Sequence, residues 1–367
     1  MLLKDKTIFI AHNWSDISVC QQSKALAFAL SENNNVFFLN AKKNLARPQR
    51  INQRLEVLNW PGKRPTGIKD FLFAVKLVRK HKPDIIVVNF AATDILLVVS
   101  WMFSVKIRVC YFHTMVEQHI EDKGYLSFRQ RFNIWRKSYI YKKATHMLPV
   151  STASKKDFIR YFRGIDTKKV HVFANALADT NQVNKSDGQL IGFIGRLDRS
   201  KGVDILIEAF VKVAVLLPSV RLVIAGKGVL EEELKAMIKL AGIEDKVEWR
   251  GGIAYTEVLK FVSCLSFLVV PSRMDNLPTV VLEAFSTCTP VIGAKTGGIP
   301  DMIEDGFNGR LFERENVDDL VVKMKSLLDD EVDRKRMGEN ARKTFKEKYC
   351  IDQLPQRFEN LLEGTMN

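Results

Sequence analysis

Two carboxylates and two cations carry the chemistry of this sequence. Asp275 and Glu283 lie in the segment SRMDNLPTVVLEAFSTCTPVIGAKTGGIPDMIEDGFNG, residues 272–309, with seven residues between them and Pro278 where a helix would begin. Proline suits a first helical turn, where its missing N–H is an orphan donor anyway. The amides that follow, with the helix dipole, form an anion site. Upstream, GRLDRSKG (195–202) sets Arg196 and Lys201 on a loop that follows a strand pattern and opens a helix, with Gly195 letting backbone come close. Cations there can neutralise a diphosphate leaving group as its charge grows. Carboxylates for hydroxyls beside cations for a diphosphate are what a sugar joined to a diphosphate needs. Taken singly, the acids also suit a helix cap and a surface glutamate, and the cations a solvated turn.

These residues need elements to hold them. A chain of 367 residues exceeds one ordinary compact core, and two domains are expected. Short β-branched runs alternate with helical patterns. Strands are expected over 7–11, 36–39, 85–89, 107–112, 146–150 and 170–173, then over 190–194, 221–225, 247–249, 267–270 and 290–293. Helices are expected over 19–30, 203–217, 230–241 and 278–286, and a buried one over 95–105. Such alternation implies an α/β fold with parallel sheets and right-handed crossovers. The polar stretch 174–189, NALADTNQVNKSDGQ after its first alanine, separates domains 1–175 and 176–350, leaving 351–367 as a C-terminal helix able to pack back on the first. Two doubly wound domains with their strand C-termini facing one central cleft are expected. Gly297-Gly298 and the EDGFNG turn (304–309) are glycine corners beside a strand end.

Beyond the segment already quoted, the motifs PVSTASKKDF (149–158), KVHVFANALAD (169–179), GFIGRLDRSKGVDILIEAF (192–210), LVIAGKG (222–228) and VEWRGGI (247–253) follow in order. Over residues 146–312 the chain resembles the donor domain of family-four retaining glycosyltransferases, which have two Rossmann-like domains in the GT-B architecture. The resemblance implies an enzyme that moves a sugar from a nucleotide sugar with retention of anomeric configuration. Arg196 and Lys201 would hold the diphosphate, with Asp275 on the sugar hydroxyls and Glu283 on the ribose. Asn276, Leu277 and Thr279 would contribute backbone groups, and Gly251–Ile253 would border the base. Neither cofactor nor metal is implied. Asp replaces the commoner Glu at 275, Pro278 and Cys288 stand where Gly is usual, and Ala176 replaces the Gly of an Asn-Gly pair.

The first half matches less closely. The loop AHNWSDISVCQQSKALAFAL lacks the family's usual glycine pair, and His12, Asn13 and Trp14 occupy that acceptor-side bend. His113, after the strand IRVCYF, falls where the family often places a histidine near the transferred sugar, a position equally open to a structural histidine. Residues 123–144, KGYLSFRQRFNIWRKSYIYKKA, interleave aromatics with cations. They fit an amphipathic helix lying on an anionic bilayer or one with its aromatics in the core.

Residues 1–180 carry 30 Lys and Arg against 13 Asp and Glu, while residues 181–367 carry 26 against 29. The basic half points to an anionic surface. Nucleic acid would suit that charge, but no recognition motif appears. No apolar run approaches the ~20 residues of a spanning helix, and the N-terminus has no long apolar signal region. Five scattered cysteines fit a reducing compartment better than a metal cage. The expectation is a cytoplasmic enzyme peripheral on the inner membrane face. Its acceptor would be a glycan or lipid-linked glycan, within cell-surface polysaccharide synthesis (lipopolysaccharide, capsule or O-antigen). A sugar-nucleotide 2-epimerase and a non-enzymatic two-domain sugar-binding protein share the architecture.

Overall fold

The computed structural model of the protein describes residues 3–15, 18–41, 47–62, 67–89, 93–186 and 188–366. Asp16 and Ile17 of the opening loop and Asp187 of the polar stretch lie outside them. The chain divides into unit 1 (1–116, 126–178 and 351–367) and unit 2 (117–125 and 179–350).

In unit 1 the strands are β1 (Thr7–His12), β2 (Asn35–Asn40), β3 (Gln49–Arg50), β4 (Leu55–Asn59), β5 (Ile85–Val88), β6 (Ile107–Phe112) and β7 (His146–Pro149), ordered β3-β4-β2-β1-β5-β6-β7. Among the described residues only β3 pairs antiparallel, with β4. Its helices include α1 (Ser18–Leu30), α2 (Ile68–His81) and α3 (Thr93–Met102). After α4 (Val116–Lys123) come α5 (Phe128–Tyr141) and α6 (Thr152–Tyr161). The central strands read as unbroken apolar runs such as IIVV because helices cover both faces of a parallel sheet.

Unit 2 has β8 (Leu190–Ile194), β9 (Arg221–Ala225), β10 (Val247–Gly251), β11 (Phe267–Val270), β12 (Val291–Ala294) and β13 (Gly309–Phe312), all parallel, in the order β10-β9-β8-β11-β12-β13. Its helices are α7 (Val203–Leu216), α8 (Glu231–Leu240), α9 (Tyr255–Val262), α10 (Thr279–Ser286), α11 (Ile299–Met302), α12 (Val317–Asp329) and α13 (Glu331–Thr344). The last helix, α14 (Leu354–Met366), belongs to unit 1 and buries Leu354, Phe358 and Leu362 in that unit's core.

Several elements differ from the pattern reading. Residues 170–173 form no strand. His171 and Phe173 donate to the carbonyls of Met147 and Pro149, at 2.9 and 2.8 Å, but Pro149 has no N–H to return. The buried helix expected over 95–105 ends at Met102 and leaves Trp101, Met102 and Phe103 exposed. Helix α5 starts at a capping box read directly from SFRQ: Ser127 Oγ accepts from the Gln130 amide at 3.3 Å, and Gln130 Oε1 accepts from the Ser127 amide at 2.8 Å. Of its aromatics only Tyr141 is buried; the others face outward, against the core alternative. The polar stretch 174–189 is tied down at its start. Asn175, Ala176 and Leu177 are buried, and the Ala176 amide donates to Gln22 Oε1 at 2.8 Å.

Candidate active site

The strand order of unit 2 reverses at β8. The chain runs outward to β9 and β10, then returns to place β11 on the other side of β8. The crevice at the C-terminal ends of β8 and β11 is therefore the topological switch point, where open α/β sheets bind ligands. The two loops leaving those ends are 195–202 and 271–278, the two segments richest in candidate residues.

They are fastened to each other. The Arg273 amide donates to the Ser200 carbonyl at 2.8 Å. Gly202 has φ +63, and a Cβ there would fall 2.1 Å from the Pro271 carbonyl oxygen. Gly297 has φ +54, with room for nothing beyond hydrogen beside the Asp275 carbonyl oxygen, which accepts from the Gly298 amide at 2.9 Å. Only glycine combines this left-handed backbone with such close approach.

The crevice holds a pocket of about 240 Å³ lined by Gly195, Lys201, Ser272, Asp275, Leu277 and Thr279, among others. Lys201 Nζ is ion-paired with Asp275 Oδ2, both side chains being mostly buried. Pro278 occupies the N-cap of α10, and Thr279 and Val280, the first helical residues, line the pocket. The first amides of any helix lack intrahelical acceptors, so α10 turns its positive end toward the Lys201–Asp275 pair.

The other candidates lie outside this lining. Arg196 is exposed and paired with Asp198, Nη1 to Oδ2 2.8 Å. Asn276 is buried. Glu283, on the second turn of α10, is 3% exposed, and burial pushes its carboxyl up to about 7. Gly251 ends β10 with φ +59, its carbonyl accepting from the Gly226 amide at 2.7 Å, and Ile253 is half-buried just beyond.

Arg273 lies inside the 272–309 segment, where the sequence reading gives it no role, and its guanidinium bridges the elements around the pocket. Nη1 and Nη2 donate to Asp204 on α7 at 2.9 and 2.6 Å, Nη1 also to the Arg199 carbonyl at 3.0 Å, and Nε to Glu315 at 2.7 Å. A planar fork can serve three acceptors at once, and lysine cannot. Arg273→Ala is expected to cost about 3 kcal/mol by leaving Asp204 partly buried and unpaired. Because both loops loosen, affinity for any ligand of the crevice should fall in parallel. Denaturation and a titration with nucleotide sugar check this, with Arg273→Lys restoring little of either.

Unit 1 has its own switch point, between β1 and β5. His12 ends β1, Asn89 follows β5 and His113 follows β6. His12 Nδ1 lies 2.9 Å from Ser23 Oγ, and burial pulls its pKa down to about 4. The His113 ring is partly exposed, but Nε2 is covered; it stacks on Tyr111 with centroids 5.7 Å apart. Burial, with His12 adding to it, lowers His113 to about 3, so both rings are neutral near pH 7. Asn89 is buried and, among the described residues, neither its Oδ1 nor its Nδ2 has a hydrogen-bond partner. Trp14 is an anchor within the bend after β1. Its ring meets Phe38 at 4.8 Å and its amide donates to Asn40 Oδ1 at 2.9 Å, while Asn13 is half-buried beside it. Among the described residues no three His, Cys, Asp or Glu side chains cluster as a metal site.

The profile of the family Glycosyl transferases group 1 matches residues 177–344, and that of Glycosyltransferase Family 4 matches residues 26–179. Residues 177–344 thus carry a group 1 glycosyltransferase domain. An uncharacterized glycosyltransferase of Methanocaldococcus jannaschii is 32% identical over 48% of this chain and 50% of its own. The N-acetylgalactosamine-N,N'-diacetylbacillosaminyl-diphospho-undecaprenol 4-alpha-N-acetylgalactosaminyltransferase of Campylobacter jejuni is 28% identical over 59% of this chain and 60% of its own. The chain thus spans about half to three fifths of the length of these curated relatives. Among solved structures, Anabaena HepE in complex with UDP and glucose superposes with a TM-score of 0.73 at 20% identity, covering 98% of this glycosyltransferase and 100% of HepE. That likeness establishes the fold, two Rossmann-like α/β domains of the GT-B class.

Proposed function

We propose that this glycosyltransferase moves a sugar from a nucleotide-sugar donor to a glycan or lipid-linked acceptor, with retention of configuration at the anomeric carbon. The observation that carries the reading is the Lys201–Asp275 pair at the N-terminus of α10, set in the switch-point pocket of unit 2. Lys201 and the α10 amides face the position of a diphosphate, and Asp275 is left to accept hydrogen bonds from sugar hydroxyls. The pocket is smaller than the ~300–1,000 Å³ that encloses a whole drug-sized ligand, so it suits the sugar–phosphate part of a donor. Glu283 takes the ribose, with Gly251 and Ile253 beside the base and Asn276, Leu277 and Thr279 along the sugar and phosphates. Arg196 exchanges Asp198 for the diphosphate when donor arrives.

In the reaction the bond from the anomeric carbon to the diphosphate oxygen breaks, and both electrons leave with the nucleoside diphosphate. The acceptor hydroxyl oxygen bonds to the same face of that carbon and passes its proton to the departing phosphate oxygen. Lys201, Arg196 and the helix amides stabilise the growing charge, and the reading calls for no metal ion or cofactor. His113, held neutral, serves as a hydrogen-bonding group toward the transferred sugar, and Asn13 and Trp14 border the acceptor.

The acceptor class follows from charge. A strongly basic first half suits an acceptor borne on an anionic membrane surface, and the substrate named for the Campylobacter relative is a diphospho-undecaprenol-linked sugar. The working location is then the inner face of the cytoplasmic membrane, in the synthesis of a cell-surface polysaccharide. Among the described residues no helix is long and apolar enough to cross a membrane.

A thermal-shift screen against nucleotide sugars tests the donor. At about one hundred times its Kd the correct donor adds about 2.7 kcal/mol by mass action, and Arg196→Ala should weaken the shift. Incubation with membranes should release the matching nucleoside diphosphate and give a product with the donor's anomeric configuration by NMR. A flat screen rejects the donor reading, and an inverted product rejects retention.

A further inference from the structure

Helix α5 sets an aromatic row against solvent. Phe128, Phe132, Trp135 and Tyr139 are 86, 51, 56 and 55% exposed, at spacings of four, three and four residues that align them on one face. The opposite face is the packed one, where Tyr141 meets Phe158 and Phe162. A helix that buries one aromatic and leaves four in water has a second apolar face that, among the described residues, nothing covers.

The row continues onto the neighbouring helix. Arg136 on α5 pairs with Asp94 near the start of α3 at 2.8 Å, and Lys143 Nζ lies 3.6 Å from the centre of the Trp101 ring near its end. Trp101, Met102 and Phe103 form an exposed apolar corner. Phe103 also lines a groove of about 490 Å³ whose cations are Arg79, Lys82 and Lys106. Its one carboxylate, Asp84, already accepts from the Thr7 amide at 2.9 Å.

Cations dominate the charge around this face, and the acids Asp94 and Asp84 are each already engaged, by Arg136 and by the Thr7 amide. Residues 123–156 contain no Asp or Glu but carry Arg129, Arg131, Arg136, Lys137, Lys142 and Lys143 on or beside α5. A protein partner of mixed charge would call for more acids on this surface. A sheet of phosphates over hydrocarbon calls for cations that reach headgroups and aromatic rings that lie at the interface.

We infer that the α3–α5 face of unit 1 docks on an anionic lipid bilayer, with the α5 aromatics at the headgroup–acyl boundary and the groove beside Phe103 receiving a lipid phosphate. This deepens the membrane-borne acceptor reading and rests on it.

The test uses the whole chain with vesicles of phosphatidylglycerol, and with phosphatidylcholine as control. Wild type should sediment with phosphatidylglycerol at low salt, ignore phosphatidylcholine and be released at high salt. The exposed pair Phe132→Ser/Trp135→Ser should lose about tenfold or more in vesicle affinity, and Lys82→Glu/Lys106→Glu should lose a similar factor on phosphatidylglycerol alone. Both variants should keep the donor-induced thermal shift, which shows that they are folded.

Wild type indifferent to phosphatidylglycerol, or a Phe132/Trp135 variant that binds like wild type, overturns the face. Lipid-free self-association of wild type that the same variant abolishes would assign the face to a second copy and also overturn it. Vesicle binding without any donor shift leaves this face standing and rejects the donor reading instead.

Discussion

Lys201→Ala is expected to lower kcat/KM by about 10²–10³-fold, the loss typical when one preorganised donor to a developing oxyanion is removed. The residue is paired with Asp275 at the switch point, on a loop held by Gly202 and by the Arg273 amide. Its ammonium is therefore in place before any charge develops. Removing it also strands the carboxylate of Asp275, whose side chain is 12% exposed, without its cation. Breaking a buried pair from one side costs about 3 kcal/mol.

The two consequences separate in a double-mutant cycle. Lys201→Ala/Asp275→Ala should recover much of the stability that Lys201→Ala loses, because no charge is left unpaired, but none of the activity. Denaturant unfolding and release of nucleoside diphosphate measure the two sides. A Lys201→Ala enzyme with near-normal turnover would remove this residue from the chemistry.

Glu283→Gln should change sign between the empty and the donor-bound protein. Burial raises the Glu283 carboxyl from 4.5 to about 7, so the folded state binds a proton that the unfolded state has released. That contribution to stability is complete below pH 4.5 and is lost as pH rises through about 7. At pH 8 the wild type buries a charged carboxylate, at a cost on the order of 3 kcal/mol. Glutamine removes that cost, and the empty variant should melt roughly 5 °C or more higher at pH 8, while below pH 4.5 the two should converge.

With donor the order reverses. A carboxylate that accepts ribose hydroxyls contributes about 1.5–3 kcal/mol, so Glu283→Gln should bind donor roughly tenfold to a hundredfold more weakly. Wild-type donor affinity should rise with pH up to about 7 and level off above it, because the hydroxyls need the ionised form. Melting curves and donor titrations across pH 5–8.5 measure both. A variant that is less stable when empty, or affinity that is flat in pH, would make Glu283 a packing residue.

Much of the frame was legible from local pattern. Strands buried on both faces need uninterrupted apolar runs, and that periodicity located β6, β8, β9 and β11 within their observed limits. The strands that escaped are β3, β4 and β13, which are short or partly solvated and lack such runs. Lys201 stood out because its loop, 195–202, is dense in glycine and charge, and Asp275 because it sits just ahead of Pro278 where a helix opens. The sequence left α5 undecided. Helical spacing states that one face is apolar, and says nothing about whether anything covers it.

What the chain dictates by itself is local: which segments become strand or helix, where proline and glycine break them, and which side chains carry charge. Which of those side chains meet is decided by strand order, since an ion pair spanning 74 residues of chain forms only when β8 and β11 become neighbours. The same packing made Arg273 a brace, drew His12, Asn89 and His113 to one end of a sheet, and raised the pKa of Glu283 by taking water away from it. Burial and proximity are properties of the folded chain, and neither is written in any short stretch of sequence.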